Sequence, residues 1–397
     1  MVLGVALAVG VAACGGADPA SDARSASGSE TEVVVSMGDS YIAGTAGRWR
    51  GNTNGLTNLP PDLVAYGRAD TGADAYDNFG LEFPGEQCFR SRSAAIHLGG
   101  RWTSINVACS NATTFSRVDE TGRYKPGIDA GGQLDLLADI ARRDTVRLVA
   151  VSIGANDFRF GPVMTECATG FLTSLAVLSD RCSDDTAIRS TIAPESVDRV
   201  RGAIAGSLAG IVSTLRAAGY ADDAWALVTH TYPSPLPPSS AMRYGQSGFE
   251  RQVTGGCPFY DADLDWLSGW MSTLNATVTA AARQASADTG KSVAVVEMGG
   301  LFEGRRLCEQ GTRLVEETAD DAELRAFGER VDMIRLSSRI PGSPYDITEG
   351  VHPNQLGQSA IRACLRAAFA DGAARSGTCR PPTDWAPIGK VRNYSRG

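Results

Sequence analysis

Hydrophobic residues in this chain gather in short runs that alternate little with polar ones. Glu32–Ser36, Thr103–Ala108, Val146–Ile153, Ala224–Thr229 and Ser292–Glu297 are each brief and rich in Val, Ile or Leu. Strands buried on both faces read this way, because neither face has to meet water. Between the later runs the period lengthens. Pro194 suits a first helical turn, and Val197, Val200, Ile204, Leu208, Ile211 and Leu215 follow at three- and four-residue steps until Gly219. That spacing places one apolar stripe along a helix. Leu134–Ala141, Leu264–Ala285 and Leu356–Ala370 behave similarly. Strands that alternate with helices predict βαβ units and a parallel sheet covered on both faces.

No internal repeat and no linker interrupts residues 32–379, which read as one α/β domain. The stretches Gly47–Gln87 and Gly161–Pro194 are long for α/β connections and are candidates for a substrate rim or lid. Residues 380–397, with Pro381, Pro382 and Pro387, form a C-terminal tail expected to wrap the surface.

The N-terminus follows a different pattern. Val2–Ala13 is apolar throughout but too short to span a bilayer, and Cys14-Gly15-Gly16 follows it. Residues 1–14 therefore resemble a bacterial lipoprotein signal, with cleavage before Cys14 and lipid on its thiol. No Lys or Arg precedes the run, which points to an upstream start or to an ordinary export signal. Residues 15–31 are small and polar, as in a flexible tether. The expected location is the cell surface, by membrane anchor, or the medium.

Eight cysteines remain: Cys88, Cys109, Cys167, Cys182, Cys257, Cys308, Cys364 and Cys379. An even number in an exported chain suggests disulfides. Sequential pairing is the expectation, because successive cysteines flank predicted loops. The close Cys-x-x-Cys spacing of a zinc site is absent, and the chain has 3 His. A formal net charge of −8 gives no basic footprint for nucleic acid.

Candidate chemistry falls where predicted strands end, the edge at which parallel α/β sheets bind ligands. Gly38-Asp39-Ser40 follows the first strand, Ala108–Thr114 (ACSNATT) the second and Gly154-Ala155-Asn156-Asp157 the third, while Glu349–Asn354 (EGVHPN) precedes the last helix. Acyl transfer needs a nucleophile, a base beside it, a group that orients the base, and donors for the oxyanion. Ser40 supplies the hydroxyl and His352 the base. Glu349, three residues earlier, is placed to reach the far imidazole nitrogen. Asn156 offers a neutral amide donor, with the Ser40 N–H and the 110–111 turn completing the hole. Asp157 reads as a helix cap, and His97 as structural. His230 reads as packing or loop bonding, with the cleft as an alternative. Arg90 and Arg92 read as a solvated or ion-paired face, and Trp49 as either groove lining or core.

The blocks GDSYIAG, ACSNATT, GAND and His-Pro, in that order, resemble the SGNH (GDSL) hydrolase superfamily. GEQCFRSRSAA, TYPSP and GRRLCE are similar to features of its secreted actinobacterial lipases and esterases. The resemblance implies a three-layer α/β/α sandwich with a five-stranded parallel sheet of flavodoxin-like topology. It implies ester hydrolysis through an acyl-serine, with Ser40 as nucleophile and oxyanion donor, Asn156 as second donor and His352 as base. No metal or organic cofactor is implied. Asn111 stands where the family has a donor Gly, and Asn tolerates positive φ better than most residues. Glu349 stands where the family has Asp, although some relatives use a backbone carbonyl instead. The expected partner is a small-molecule, lipid or glycan ester, bound by a monomer. Acyl transfer from the same site, and a non-catalytic surface lipoprotein of the same fold, are the alternatives.

Overall fold

Strand β1 (Glu32–Gly38) is an interior strand of the sheet, next to one edge, and is buried from its second residue onward. The computed structural model describes residues 31–53, 75–76, 88–119, 122–173, 180–334, 349–381 and 395–396. Cys14 and the tether lie outside the described residues, as do most of the Gly47–Gln87 loop and most of the tail.

β1 pairs in parallel with β2 (Thr103–Asn106) on one side and with β5 (Thr145–Ser152) on the other. β6 (Ala226–His230) and β7 (Val293–Glu297) continue the sheet in parallel beyond β5. The five predicted runs are thus the five strands, with ends that differ by a few residues. The chain steps from β1 outward to β2, then returns across β1 to β5 and onward. This is the flavodoxin-like order, whose ligand crevice opens where the direction reverses, here between the ends of β1 and β5. The sheet is wider than the expected five strands. β8 (Gly377–Thr378) adds to β7 in parallel, and β9 (Ser395–Arg396), from the tail, adds to β8 antiparallel. A ribbon of β3 (Arg117–Val118) and β4 (Tyr124–Lys125) stands apart from the sheet.

Helix α1 (Ser40–Ala43) follows β1 directly. α2 (Gln133–Arg143), α4 (Pro194–Ala217) and α5 (Asp261–Thr289) pack on one another. In α4 the stripe Val200, Ile204, Leu208, Ile211 and Leu215 is buried, as its period requires. α7 (Gln355–Ala368) packs instead on residues 93–98: Arg362 donates to the carbonyls of Ser93 and Ala94, and Arg366 to that of Leu98. Right-handed crossovers taken in opposite directions from β1 put these two groups on opposite faces, completing the α/β/α layers.

Gly161–Pro194, expected as loop, contains α3 (Phe160–Thr173), pinned by the Cys167–Cys182 disulfide. The short helix α6 (Asp321–Phe327) precedes the histidine-bearing segment. The remaining disulfides are Cys88–Cys109, Cys257–Cys308 and Cys364–Cys379, so pairing is sequential. Among the described residues no helix is long and apolar enough to cross a membrane.

Candidate active site

The end of β1 admits only glycine at position 38. Its φ is +129°, and a Cβ there would lie 1.8 Å from the Ser152 carbonyl oxygen of β5. The side chain of Gln133, at the start of α2, grips this turn from both sides. It accepts from the Gly38 N–H at 2.7 Å and donates to the Gly38 carbonyl at 2.9 Å. Asp39 then caps α1, accepting from the Tyr41 N–H at 3.1 Å. Ser40 is consequently the first residue of α1, with its N–H at the positive end of that turn.

Asp39 is fully buried, and Tyr232 from the TYPSP stretch donates to its second oxygen at 2.5 Å. Burial pushes the Asp39 carboxyl up to about 7 against the opposing pull of those bonds. The Tyr232 hydroxyl also accepts from the Ala155 N–H at 3.2 Å, so it ties the first block to the GAND turn. Gly154 there has φ +120°, and a Cβ would press on Ile204 of α4.

The second block is fastened to the same edge. Val107 and Cys109 donate to the carbonyls of Ser36 and Gly38, extending the line of β1–β2 contacts, and the Cys88–Cys109 disulfide holds the turn from behind. Arg90 is fully buried and donates to the Ala108 carbonyl, so the expected surface role gives way to a structural one. Asn111 has φ +68°, a left-handed conformation that Asn tolerates better than most residues. Asn156 donates one amide hydrogen to the Ala112 carbonyl at 2.8 Å, which aims the group at this turn and leaves its second hydrogen to give. Among the described residues, the N–H groups of Ser40 and Asn111 meet no protein acceptor. Three donors therefore come from three blocks. Asp157 accepts from the Thr114 N–H and hydroxyl, which makes it a fastening for the turn.

His352 meets Ser40 across this edge, with Nε2 2.8 Å from the serine Oγ. Its Nδ1 lies 3.0 Å from the Gly350 carbonyl. A carbonyl can only accept, so Nδ1 carries the proton and Nε2 is free to receive one from Ser40. Packing against Tyr41 and Phe160 desolvates the ring and lowers its pKa to about 4, which keeps the imidazole neutral.

Glu349 does not reach the imidazole, and the expected carboxylate partner is replaced by the Gly350 carbonyl. Its carboxylate is fully buried on the far side of the loop, where it accepts from Arg48 at 2.6 and 2.9 Å, from Trp49 Nε1 at 2.7 Å and from the Tyr76 hydroxyl. The physical reason is competition, because a guanidinium and two further donors hold the carboxylate before the ring can. Trp49 is correspondingly core, with no exposure to a groove. His230 is buried with Nδ1 3.0 Å from the Thr231 carbonyl, and His97 lies on the 93–98 segment that packs on α7. Sequence reasoning missed Gln133 and Arg48 and gave Tyr232 no role beyond its place in TYPSP; their contacts span between 95 and 301 positions.

No family model matches the sequence, and no curated protein does. Solved structures similar to this chain include phospholipase A1 from Streptomyces albidoflavus NA297, at 18% identity and TM-score 0.44. An extracellular lipase from Streptomyces rimosus is similar at 17% identity and TM-score 0.40. Each alignment covers 85% of this chain and 99% of the other.

Proposed function

We propose that this protein is an exported serine hydrolase of carboxylic esters, of the SGNH type. The observation that carries the reading is the Ser40 Oγ–His352 Nε2 contact of 2.8 Å, with the imidazole tautomer fixed by the Gly350 carbonyl. Ser40 attacks the ester carbonyl as Nε2 takes its proton. The N–H groups of Ser40 and Asn111 and the Asn156 amide receive the charge that develops on the carbonyl oxygen. His352 then returns the proton to the departing alcohol. Water enters by the same route and releases the acid from the acyl-serine. Nothing in this sequence of steps calls for a metal or an organic cofactor. Four disulfides support a location outside the reducing cytoplasm.

A membrane-impermeant fluorophosphonate applied to intact cells together with their culture medium tests both parts. Wild type should be labelled and should hydrolyse p-nitrophenyl esters. Ser40→Ala should lose the label and at least ~10³-fold in turnover. Unlabelled wild type, or turnover retained by Ser40→Ala, would overturn the mechanism.

A further inference from the structure

Asn111 holds a left-handed conformation at φ +68°, which asparagine tolerates and glycine adopts freely. Its neighbours are fixed independently of it. Cys109 is bonded to Cys88 and donates to Gly38, Ser110 donates to the Cys88 carbonyl at 2.9 Å, and Ala112 donates to the Cys109 carbonyl at 3.0 Å. What these bonds leave undetermined is the rotation of residue 111 itself, which sets where its N–H points.

Arg117 removes that freedom. A single guanidinium nitrogen, Nη2, donates to the Asn111 side-chain oxygen at 2.7 Å and to the Asn111 carbonyl at 3.2 Å. With both acceptors of one residue held by one atom, the side chain and the following peptide cannot turn separately. The arginine has a firm mount. It pairs with Lys125 in the β3–β4 ribbon, and its neighbour Ser116 donates to both oxygens of Asp129, at 2.7 and 2.5 Å. Gly127 donates to the Ser116 hydroxyl at 3.0 Å and passes so near Phe115 that a Cβ would lie 2.2 Å from its carbonyl carbon.

We propose that Arg117 is a positioning residue for the oxyanion hole. It clamps Asn111 and so keeps the Asn111 N–H directed at the ester oxygen. The asparagine then gives a donor as well placed as the family's glycine and stiffer, because the side chain that costs conformational ease also supplies the handle. The proposal rests on the serine-hydrolase reading above, since a donor needs an oxyanion to serve.

The test is a double-mutant cycle on Arg117→Ala and Asn111→Gly. It is read as kcat and KM on a p-nitrophenyl ester and as Ki for a trifluoromethyl ketone, which forms the tetrahedral oxyanion. Arg117→Ala should lower kcat by ~10-fold or more, less than the 10²–10³-fold cost of losing a donor outright. KM should stay within about twofold, and the ketone should weaken in step with kcat. In the Asn111→Gly background the same replacement should cost less than about threefold, because the handle is gone. Equal losses in both backgrounds, or an effect carried by KM, would overturn the clamp. If Arg117→Ala melts early, Arg117→Gln gives the same cycle with a polar side chain retained. Ser40-dependent turnover that is indifferent to Arg117 sinks the clamp alone, whereas wild type without such turnover sinks the hydrolase reading and the clamp with it.

Discussion

Ser40 and His352 occupy one site but are held in different ways. Ser40 is placed by its immediate neighbours: Gly38 lets β1 pass against Ser152, and Asp39 caps the helix that Ser40 begins. Gln133 and Tyr232 brace that turn, yet its shape is written in three consecutive residues. His352 is placed from a distance. Its loop hangs on Glu349, which is gripped by Arg48 and Trp49 from 301 and 300 positions away, and on the Val351 carbonyl, which accepts from Tyr41. The turn that presents Ser40 is a local structure, whereas the placing of His352 is a tertiary achievement. The two should therefore fail differently when disturbed.

The largest effect belongs to the contact that joins them. His352→Ala should cost at least ~10³-fold in kcat, since the serine loses its base while the oxyanion donors persist. Its melting temperature should hardly move, because the ring is half-buried and, among the described residues, carries only two hydrogen bonds, to Gly350 and to Ser40. A loss under tenfold would show that Ser40 is activated by something else.

Glu349 should give the opposite pattern. Glu349→Ala breaks the buried Arg48–Glu349 pair by removing one partner, a change worth about 3–5 kcal/mol of stability. The melting temperature should fall by many degrees. Glu349→Gln is the sharper probe, because it removes the charge and keeps the shape. If the Gly350 carbonyl orients the ring, Glu349→Gln costs less than ~10-fold in kcat below its melting point. An acid bonded to the imidazole would cost nearer ~10⁴-fold. The comparison of local and distant support stands or falls on this variant.

The same division explains what could be read from the sequence. The sheet was legible because parallel strands buried on both faces must be apolar runs, and all five runs became strands. That Ser40, Asn111 and Asn156 lie along one edge was legible because each follows a predicted strand, and a parallel sheet brings those strand ends together. Glu349 was misread because three-residue spacing before a histidine is compatible with either face of a loop. Arg48, Trp49 and Tyr76 decided the face, and nothing near Glu349 in sequence announces them. Arg90 misled for a related reason: an arginine that spends its donors on the carbonyls of Val107 and Ala108 looks in sequence like one that faces water. The helix inside Gly161–Pro194 escaped although Phe160, Val163, Met164, Cys167 and Ala168 recur at helical spacing, because Gly161, Pro162 and Gly170 interrupt that stripe with residues that read as loop punctuation.

The smallest effect concerns pH, and it separates the two regions once more. Burial acts on both, pushing Asp39 behind Ser40 up to about 7 and lowering His352 to about 4. In the proposed mechanism only the second group exchanges a proton. His352 must be neutral to accept from Ser40, so kcat/KM should fall with acidity around pH 4 and not around the ordinary imidazole value near 6.5. The sign for stability runs the same way for this ring: its contribution is complete above about pH 6.5 and fades as pH falls toward about 4. Asp39 runs the other way, since a carboxyl that folds protonated loses stability as pH rises from about 4 toward 7. Tyr232→Phe removes a bond that favours the ionised Asp39, and so moves that group further up. It should leave the acid limb of kcat/KM where it was. A limb that shifts with Tyr232→Phe would mean that Asp39 and His352 titrate as one unit, and that base and nucleophile turn are less separate than their contacts make them.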